Sequence, residues 1–402
     1  MKGSRNVRGG LMDGSIALPR IGSVRQTLSA EVPFVILDAS GVEIDCVSDY
    51  LKDLALSDQS PLTGRSYAYD LLRWFRTLWA VGIDWQQATS GEVAVLVGAL
   101  RHGVNDQRRR SNPRSARPGS VNRKTGKATL NDGYAARTIN HNLSVISEFY
   151  RYQAHLGRGP VLNPVPSAAE RRKALAHHSP IDERQRYSRA PLRQRVAKRK
   201  PTVIPDDLWD ELFAAMTCDR DRALMLFYWT SGARAAEILG LTLADVDWSR
   251  SCVYVVSKGT RLREAVPVSA EALRYLLRYL DACGSRDSSA PLWLTQRGRP
   301  RPLSYSAFRR IFQRVNETLG TNWTLHDMRH SAATRMANDP TLSLPEVQAV
   351  LRHASITTTG EYLAVRVEDL VDRMQEHYAR PRPKRSFAPG YDVDDIKVVF
   401  GD

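Results

Sequence analysis

The sequence predicts a mainly α protein with a small β-sheet (α+β): a helical first domain followed by a mixed, mostly helical second domain. Apolar residues recur at three- and four-residue spacings through most of the chain, the signature of helices with one buried face. Two short β-branched runs in the second half are separated by Lys-Gly-Thr-Arg, which reads as a hairpin. A stretch rich in Pro and Arg lies between the halves and follows neither pattern, as an extended linker would. At 402 residues, two or three domains are expected, and 42% hydrophobic with 25% charged residues suits folded domains rather than a disordered chain.

Residues 1–40 form an N-terminal extension without a legible role. Within it, the apolar run Val32 to Leu37 ends at Asp38-Ala39-Ser40-Gly41, a strand closing in a turn. Helical periodicity begins at Val42 and runs through Ile44, Val47, Tyr50, Leu51 and Leu54. Ser60-Pro61 opens a second helix that passes through Tyr67, Leu71, Phe75, Leu78 and Trp79 to Gly82. A third covers Glu92 to Arg101. A fourth, Thr138 to His155, places Ile139, Leu143, Ile146 and Phe149 on one stripe and stops before Gly157 and Pro160. These elements predict a helical domain over residues 41–165 with a basic insertion at 106–134, then a basic linker at 166–200. The second domain, 201–380, opens with helices at Asp206 to Met216 and Asp219 to Thr230. The hairpin strands follow around Cys252 to Val256 and Ala265 to Val268, then helices from Ala270 to about Ala379, and residues 381–402 form a tail.

The net charge is +15, and its placement says more than its size. Eight basic and no acidic residues lie between Arg108 and Lys127, and eleven basic against two acidic residues lie between Arg171 and Lys200. These two runs exceed the charge of the whole chain, so the remainder is close to neutral. One such run is ordinarily a solvated surface, whereas two in one chain favour a polyanionic partner. Arg108, Arg109, Arg110, Arg171, Arg172, Lys173, Lys198, Arg199 and Lys200 are the candidate contacts for such a partner. A lipid surface would call for apolar anchors beside the charges, which these runs lack. The longest apolar run, Val93 to Leu100, is far short of the roughly 20 residues of a membrane helix. The N-terminus lacks the apolar core of a signal peptide, so a cytoplasmic protein is expected. Cys46, Cys218, Cys252 and Cys283 show no C-x-x-C spacing and read as reduced core thiols, and neither they nor His177-His178 suggest a metal site.

Four stretches stand apart: TSGARAAEILGL (Thr230 to Leu241), VSKGTRLREAVPV (Val256 to Val268), TLHDMRHSAAT (Thr324 to Thr334) and LRHASITTTGEYL (Leu351 to Leu363). Each alone is better explained by packing, a helix cap or a surface ion pair. Together and in this order, the chain resembles the tyrosine recombinase (phage integrase) family. The resemblance covers the second domain nearly end to end, and the first domain resembles the family's core-binding domain in layout. It implies a catalytic set of Arg234, Lys258, His326, Arg329, His353 and Tyr362, with Glu237 in support. Two positions depart from the pattern: Arg352 stands where Gly is usual, and Ser231-Gly232-Ala233 precedes Arg234 where Gly-Leu is typical.

These residue types suit the implied chemistry, cleavage and rejoining of DNA strands through a 3′-phosphotyrosine. Attack on a phosphodiester builds negative charge on two nonbridging oxygens, which the planar forks of Arg234 and Arg329 can grip bidentately. A phenol with a pKa near 10 needs a base at neutral pH, and His326 is the better candidate. Lys258 would protonate the 5′ oxygen as it leaves. The phosphotyrosine ester keeps the energy of the broken bond, so neither nucleotide nor metal cofactor is implied. Double-stranded DNA is the expected partner, with the two domains closing around the duplex. The resemblance further implies a homo-oligomer, a tetramer on two DNA sites assembled from protomers monomeric when free, and admits accessory DNA-bending proteins. Two alternatives stay open: a type IB topoisomerase-like relaxing enzyme, against which the compact helical first domain speaks, and a catalytically silent DNA-binding regulator, against which the complete set of six speaks.

Overall fold

The computed structural model describes residues 2–29, 31–105, 117–167, 190–197, 202–257 and 262–352. The chain divides into two compact units, Met1–Arg199 and Lys200–Asp402.

The first unit contains α1 (Lys2–Asp13), the antiparallel pair β1 (Ser23–Gln26) and β2 (Phe34–Leu37), then α2 (Asp45–Leu56), α3 (Pro61–Val81), α4 (Ser90–His102) and α5 (Ala136–His155). Helix α3 starts at Pro61, whose missing N–H would have had no helical partner, and stops at Gly82, which takes the left-handed conformation with φ +66°. Helix α4 starts on a capping box, in which Glu92 Oε2 accepts the Thr89 N–H at 2.8 Å. The same carboxylate meets Arg8 of α1 at 2.6 Å. The core is aromatic: the Phe149 ring lies 5.2–6.2 Å from those of Tyr50, Phe75, Trp85 and Tyr150. Its polar edges are satisfied internally. Trp74 Nε1 donates to Tyr150 Oη at 3.1 Å, and the Tyr150 hydroxyl donates to the Trp85 carbonyl at 2.8 Å.

The N-terminal forty residues, read from sequence as an extension, are built into this unit. Leu11 and Ile36 are fully buried. Helix α1 has no counterpart in the sequence reading because three of its twelve residues are glycine and it offers only a short apolar stripe. Packing supplies what propensity lacks. Gly98 of α4 lets α1 approach so closely that a Cβ there would lie 2.7 Å from Met12 Cα. Part of the stretch read as a linker is also held in place: the Gln194 N–H bonds Asn140 Oδ1 of α5 at 2.7 Å and Arg193 Nη2 bonds Ser144 Oγ at 3.1 Å. All nine basic residues named as candidate DNA contacts lie outside the described residues.

The second unit runs α6 (Asp206–Ala214), α7 (Asp219–Ser231), α8 (Ala235–Leu239), β3 (Val246–Asp247), β4 (Cys252–Val256), β5 (Arg263–Pro267), α9 (Ala270–Cys283), α10 (Tyr305–Leu319), α11 (Leu325–Asn338) and α12 (Leu344–Leu351). The sheet is antiparallel in the order β3-β4-β5, with Cys252 opposite Pro267 and Val256 opposite Arg263. Helices α9 and α10 are amphipathic; α10 buries Phe308, Ile311, Phe312 and Val315 at helical spacing. Helix α7 differs, being buried nearly all round, and forms the centre of the unit. The fold class is thus the expected one, mainly α with a small sheet. Of the four cysteines expected in the core, Cys252 is buried, Cys46 and Cys218 are half-buried, and Cys283 is exposed at the end of α9, where the helix no longer faces the core. None of the described helices is long and apolar enough to cross a membrane.

Replacing Phe149 by alanine empties the centre of the first unit's aromatic cluster and should cost about 3–5 kcal/mol of stability. Urea titration of the whole chain measures it, and a loss within experimental error of zero would contradict the packing described.

Candidate active site

Helix α11 begins at a capping box. Asp327 Oδ2 accepts the Thr324 N–H at 2.7 Å and Thr324 Oγ1 accepts the Asp327 N–H at 3.2 Å. This start fixes the rotation of the helix: His326, in the first turn, is exposed, and Arg329, three residues later, is buried at 7% exposure. The Ile204 N–H donates to Ser331 Oγ at 2.8 Å, tying the opening segment of the unit to the same helix.

Arg329 reaches two backbone carbonyls. Its Nη1 donates to the Gly232 carbonyl and its Nη2 to that of Leu351 at 2.8 Å. These carbonyls belong to the C-terminal ends of α7 and α12, where unsatisfied acceptors and the negative ends of two helix dipoles favour a cation. Both helices close with a left-handed residue, Gly232 at φ +58° and Arg352 at φ +52°. At Gly232 the requirement is double, because a Cβ would lie 2.7 Å from Leu351 Cδ2. Burial, with the neighbouring charge of Arg234 adding to it, pushes the Arg329 pKa down to about 10, which leaves it a cation at neutral pH.

Arg234 sits at the N-cap of the short helix α8, which is held in place where Trp293 Nε1 donates to the Ile238 carbonyl at 2.8 Å. Glu237 answers it twice: Oε2 accepts the Arg234 N–H at 2.8 Å, and Oε1 accepts from Arg234 Nη1 at 2.7 Å. Arg234 Nη2 donates to the Arg352 carbonyl at 3.2 Å. The two arginines therefore rest on successive carbonyls, 351 and 352. The Arg234 side chain keeps 34% of its surface exposed and remains reachable from solvent. Burial of Glu237 by itself raises its pKa. The Arg234 N–H, the Arg352 guanidinium and the Arg234 side chain outweigh that and hold the carboxyl below its ordinary range.

Arg352 was noted from sequence only as a departure. Its Nη2 donates to Glu237 Oε2 at 2.6 Å and its Nη1 to the Val350 carbonyl at 2.8 Å. Arg234 and Arg352 therefore share one carboxylate, whose charge Arg329 also feels, and the surplus of guanidiniums makes the site locally cationic. The His326 ring lies edge-on to that of His330, with centroids 3.9 Å apart. His330 was also missed, although its four-residue spacing from His326 placed it on the same helix face.

Of the six residues named from sequence, the structure brings Arg234 and Arg329 onto one turn and puts His326 on the helix that carries Arg329. Lys258, His353 and Tyr362 lie outside the described residues. Lys258 directly follows Ser257, whose N–H bonds the Leu262 carbonyl at 3.0 Å across the base of the hairpin turn.

Because folding holds Glu237 below its ordinary value of 4.5, the carboxylate stabilises the fold at pH well above that value, and this contribution is lost as pH falls through the depressed folded-state value. Glu237→Gln should flatten the acid side of the stability profile, measured by urea titrations at about pH 7 and about pH 3. Equal slopes for the two proteins would remove Glu237 from this linkage.

Residues 206–369 match the phage integrase family. The chain is 30% identical over 245 residues to tyrosine recombinase XerC of Pelobacter propionicus, covering 60% of this chain and 72% of that relative. It is 22% identical over 366 residues to transposase A from transposon Tn554 of Staphylococcus aureus, covering 88% of this chain and 96% of that one. Its fold is similar to that of the XerH site-specific recombinase bound to difH substrate in a pre-cleavage complex, with a TM-score of 0.54, 15% identity and 94% of each chain covered. It is also similar to a lambda integrase dimer bound to a COC′ core site, with a TM-score of 0.53, 18% identity and coverage of 79% of this chain and 94% of that one. The capped arginine pair thus lies within the matched segment, and the chain belongs to the phage integrase family and is a tyrosine-type site-specific recombinase.

Proposed function

We propose that this recombinase cuts and rejoins double-stranded DNA with Tyr362 as nucleophile, and that Arg234 and Arg329 hold the nonbridging oxygens of the scissile phosphate. The observation that carries this reading is the fixing of both guanidiniums on the carbonyls of residues 351 and 352, immediately before His353. A guanidinium tethered before substrate arrives needs no reorganisation as charge develops, and loss of one such donor costs about 10²–10³ in rate.

In this scheme the phenol oxygen of Tyr362 attacks phosphorus, forming the O–P bond as the bond to the 5′ oxygen breaks. His326, exposed at the start of α11, takes the phenol proton. Lys258 gives a proton to the departing 5′ oxygen, and His353 donates a hydrogen bond to the phosphate. Attack by a 5′ hydroxyl on the phosphotyrosine reverses the step and completes exchange. The first unit serves as the core-binding domain and the second as the catalytic domain. Arg108, Arg109, Arg110, Arg171, Arg172, Lys173, Lys198, Arg199 and Lys200 contact phosphates, a role supported by their concentration in two runs. Four protomers on two DNA sites carry out strand exchange. The relatives of solved structure, bound to a difH substrate and to a COC′ core site, support double-stranded DNA as partner.

A nicked suicide duplex should trap a covalent adduct with the wild-type chain and none with Tyr362→Phe, read by denaturing gel. An adduct surviving that change would assign the nucleophile elsewhere. For Lys258→Ala, a bridging 5′ sulfur should restore cleavage, since a thiolate leaves without a proton; no rescue would pass the acid role to another residue. DNA affinity should fall by about 10³–10⁵ between about 50 and about 200 mM salt if six to ten phosphates are contacted. A constant affinity over that range would contradict phosphate-dominated binding.

A further inference from the structure

Arg352 is placed at odds with ordinary stability. It closes α12 in the left-handed conformation, φ +52°, ψ +50°, which glycine takes freely and a residue with a Cβ takes at a cost. Its side chain does not compensate by reaching water. It turns inward, with only 4% exposed, and Nε finds no hydrogen-bond partner among the described residues. A buried cation with an incomplete set of hydrogen bonds, on a strained backbone, is weak evidence for stabilisation. Apart from Nη1, which donates to the Val350 carbonyl at 2.8 Å, its contacts lead to one neighbour, Arg234.

Through Nη2 it binds Glu237 Oε2, the oxygen that also accepts the Arg234 N–H, while Oε1 accepts from Arg234 Nη1. Through its own carbonyl it accepts from Arg234 Nη2. Arg234 is thus held from two sides by one residue, directly by main chain and indirectly through the carboxylate. Without the Arg352 guanidinium, Glu237 would keep a full negative charge with Arg234 as its nearest guanidinium, and would draw that side chain toward itself and away from an incoming phosphate.

We propose that Arg352 is a positioning residue for strand cleavage: by engaging Glu237 it limits the hold of that carboxylate on Arg234 and keeps the Arg234 fork available to the scissile phosphodiester. The idea rests on the proposed role of Arg234 and adds a requirement specific to this chain, whose sequence has arginine where the resemblance leads one to expect glycine.

The test follows from the left-handed backbone. Arg352→Gly removes the guanidinium, keeps the carbonyl that Arg234 uses and relaxes the strain, so the fold is retained. With saturating enzyme and a nicked suicide duplex, the single-turnover rate of adduct formation should drop by about 10-fold or more, toward the loss seen on removing a preorganised donor. DNA affinity should be unchanged within error, and the thermal midpoint should not fall. Arg352→Lys, which keeps the charge without the fork, should recover part of the rate. Adding Glu237→Gln to Arg352→Gly should not deepen the loss in proportion, because the carboxylate that glycine sets loose is then neutral. A wild-type rate for Arg352→Gly, or a fall matched by weaker DNA binding or a lower thermal midpoint, would overturn the proposal. Arg234→Ala separates the two levels. If it forms adduct at the wild-type rate, the reading of the site itself fails. If it is inactive while Arg352→Gly is unimpaired, only the role of Arg352 is lost.

Discussion

The buried guanidinium of Arg329, held between the C-terminal ends of two helices, is the contact on which the rest of the site depends. Helices α7 and α12 each present backbone carbonyls that lack helical partners, and a cation between them satisfies both ends at once. The arrangement makes local demands. Both chains must turn sharply after their last helical residue, and both do so through a left-handed conformation. One turn is made by glycine, where no side chain fits, and the other by an arginine whose side chain takes part in the neighbouring network.

That network gathers more positive than negative charge in a place mostly withdrawn from water. Glu237 is its carboxylate, buried and held ionised by the arginines and the helix-start N–H around it. In water such a cluster would be screened and of little consequence; at low exposure burial lowers the pKa of Arg329 first, and the charge of Arg234 adds to it. In the role proposed for the site, an incoming phosphate would relieve the repulsion among the guanidiniums. The chemistry of a recombinase needs that relief to be greatest as the phosphorus becomes five-coordinate, so rigid placement matters more than the number of charges.

The scaffold provides that placement through ordinary means. Helix α7 is buried nearly all round and cannot shift without disturbing the core, and α8 is pinned by the indole of Trp293. The capping box at Thr324 fixes the rotation of α11 and so decides which of its residues faces inward. The first unit is built on a different principle, an aromatic cluster with its hydroxyl and indole groups bonded within, closed on one side by a helix that glycine allows to come near. Stability and chemistry are thereby separated: the aromatic core carries no site residue, and the site is held by helix ends and caps.

Much of this was legible in the sequence because it depends on spacing. The apolar stripes located α2 to α5, β-branched runs located β4 and β5, and Ser60-Pro61 and Gly82 marked the ends of α3. The four motifs named Arg234, Glu237, His326 and Arg329, since residue type and order survive in the linear chain. Helix α1 was not legible, as its glycines argue against a helix and only contact with α4 overrides them. Nor could the linear chain tell that Arg352 turns inward and shares Glu237 with Arg234, because those residues are brought together by the closing of α12 against α7 and α8, over more than a hundred residues of chain. The sequence alone thus determined most of the elements, the family and the chemical types of the named site residues. Which carbonyls hold the two arginines, and which side chain restrains their shared carboxylate, was decided only by tertiary packing, since contacts between distant helix ends leave no periodic trace in the chain that forms them.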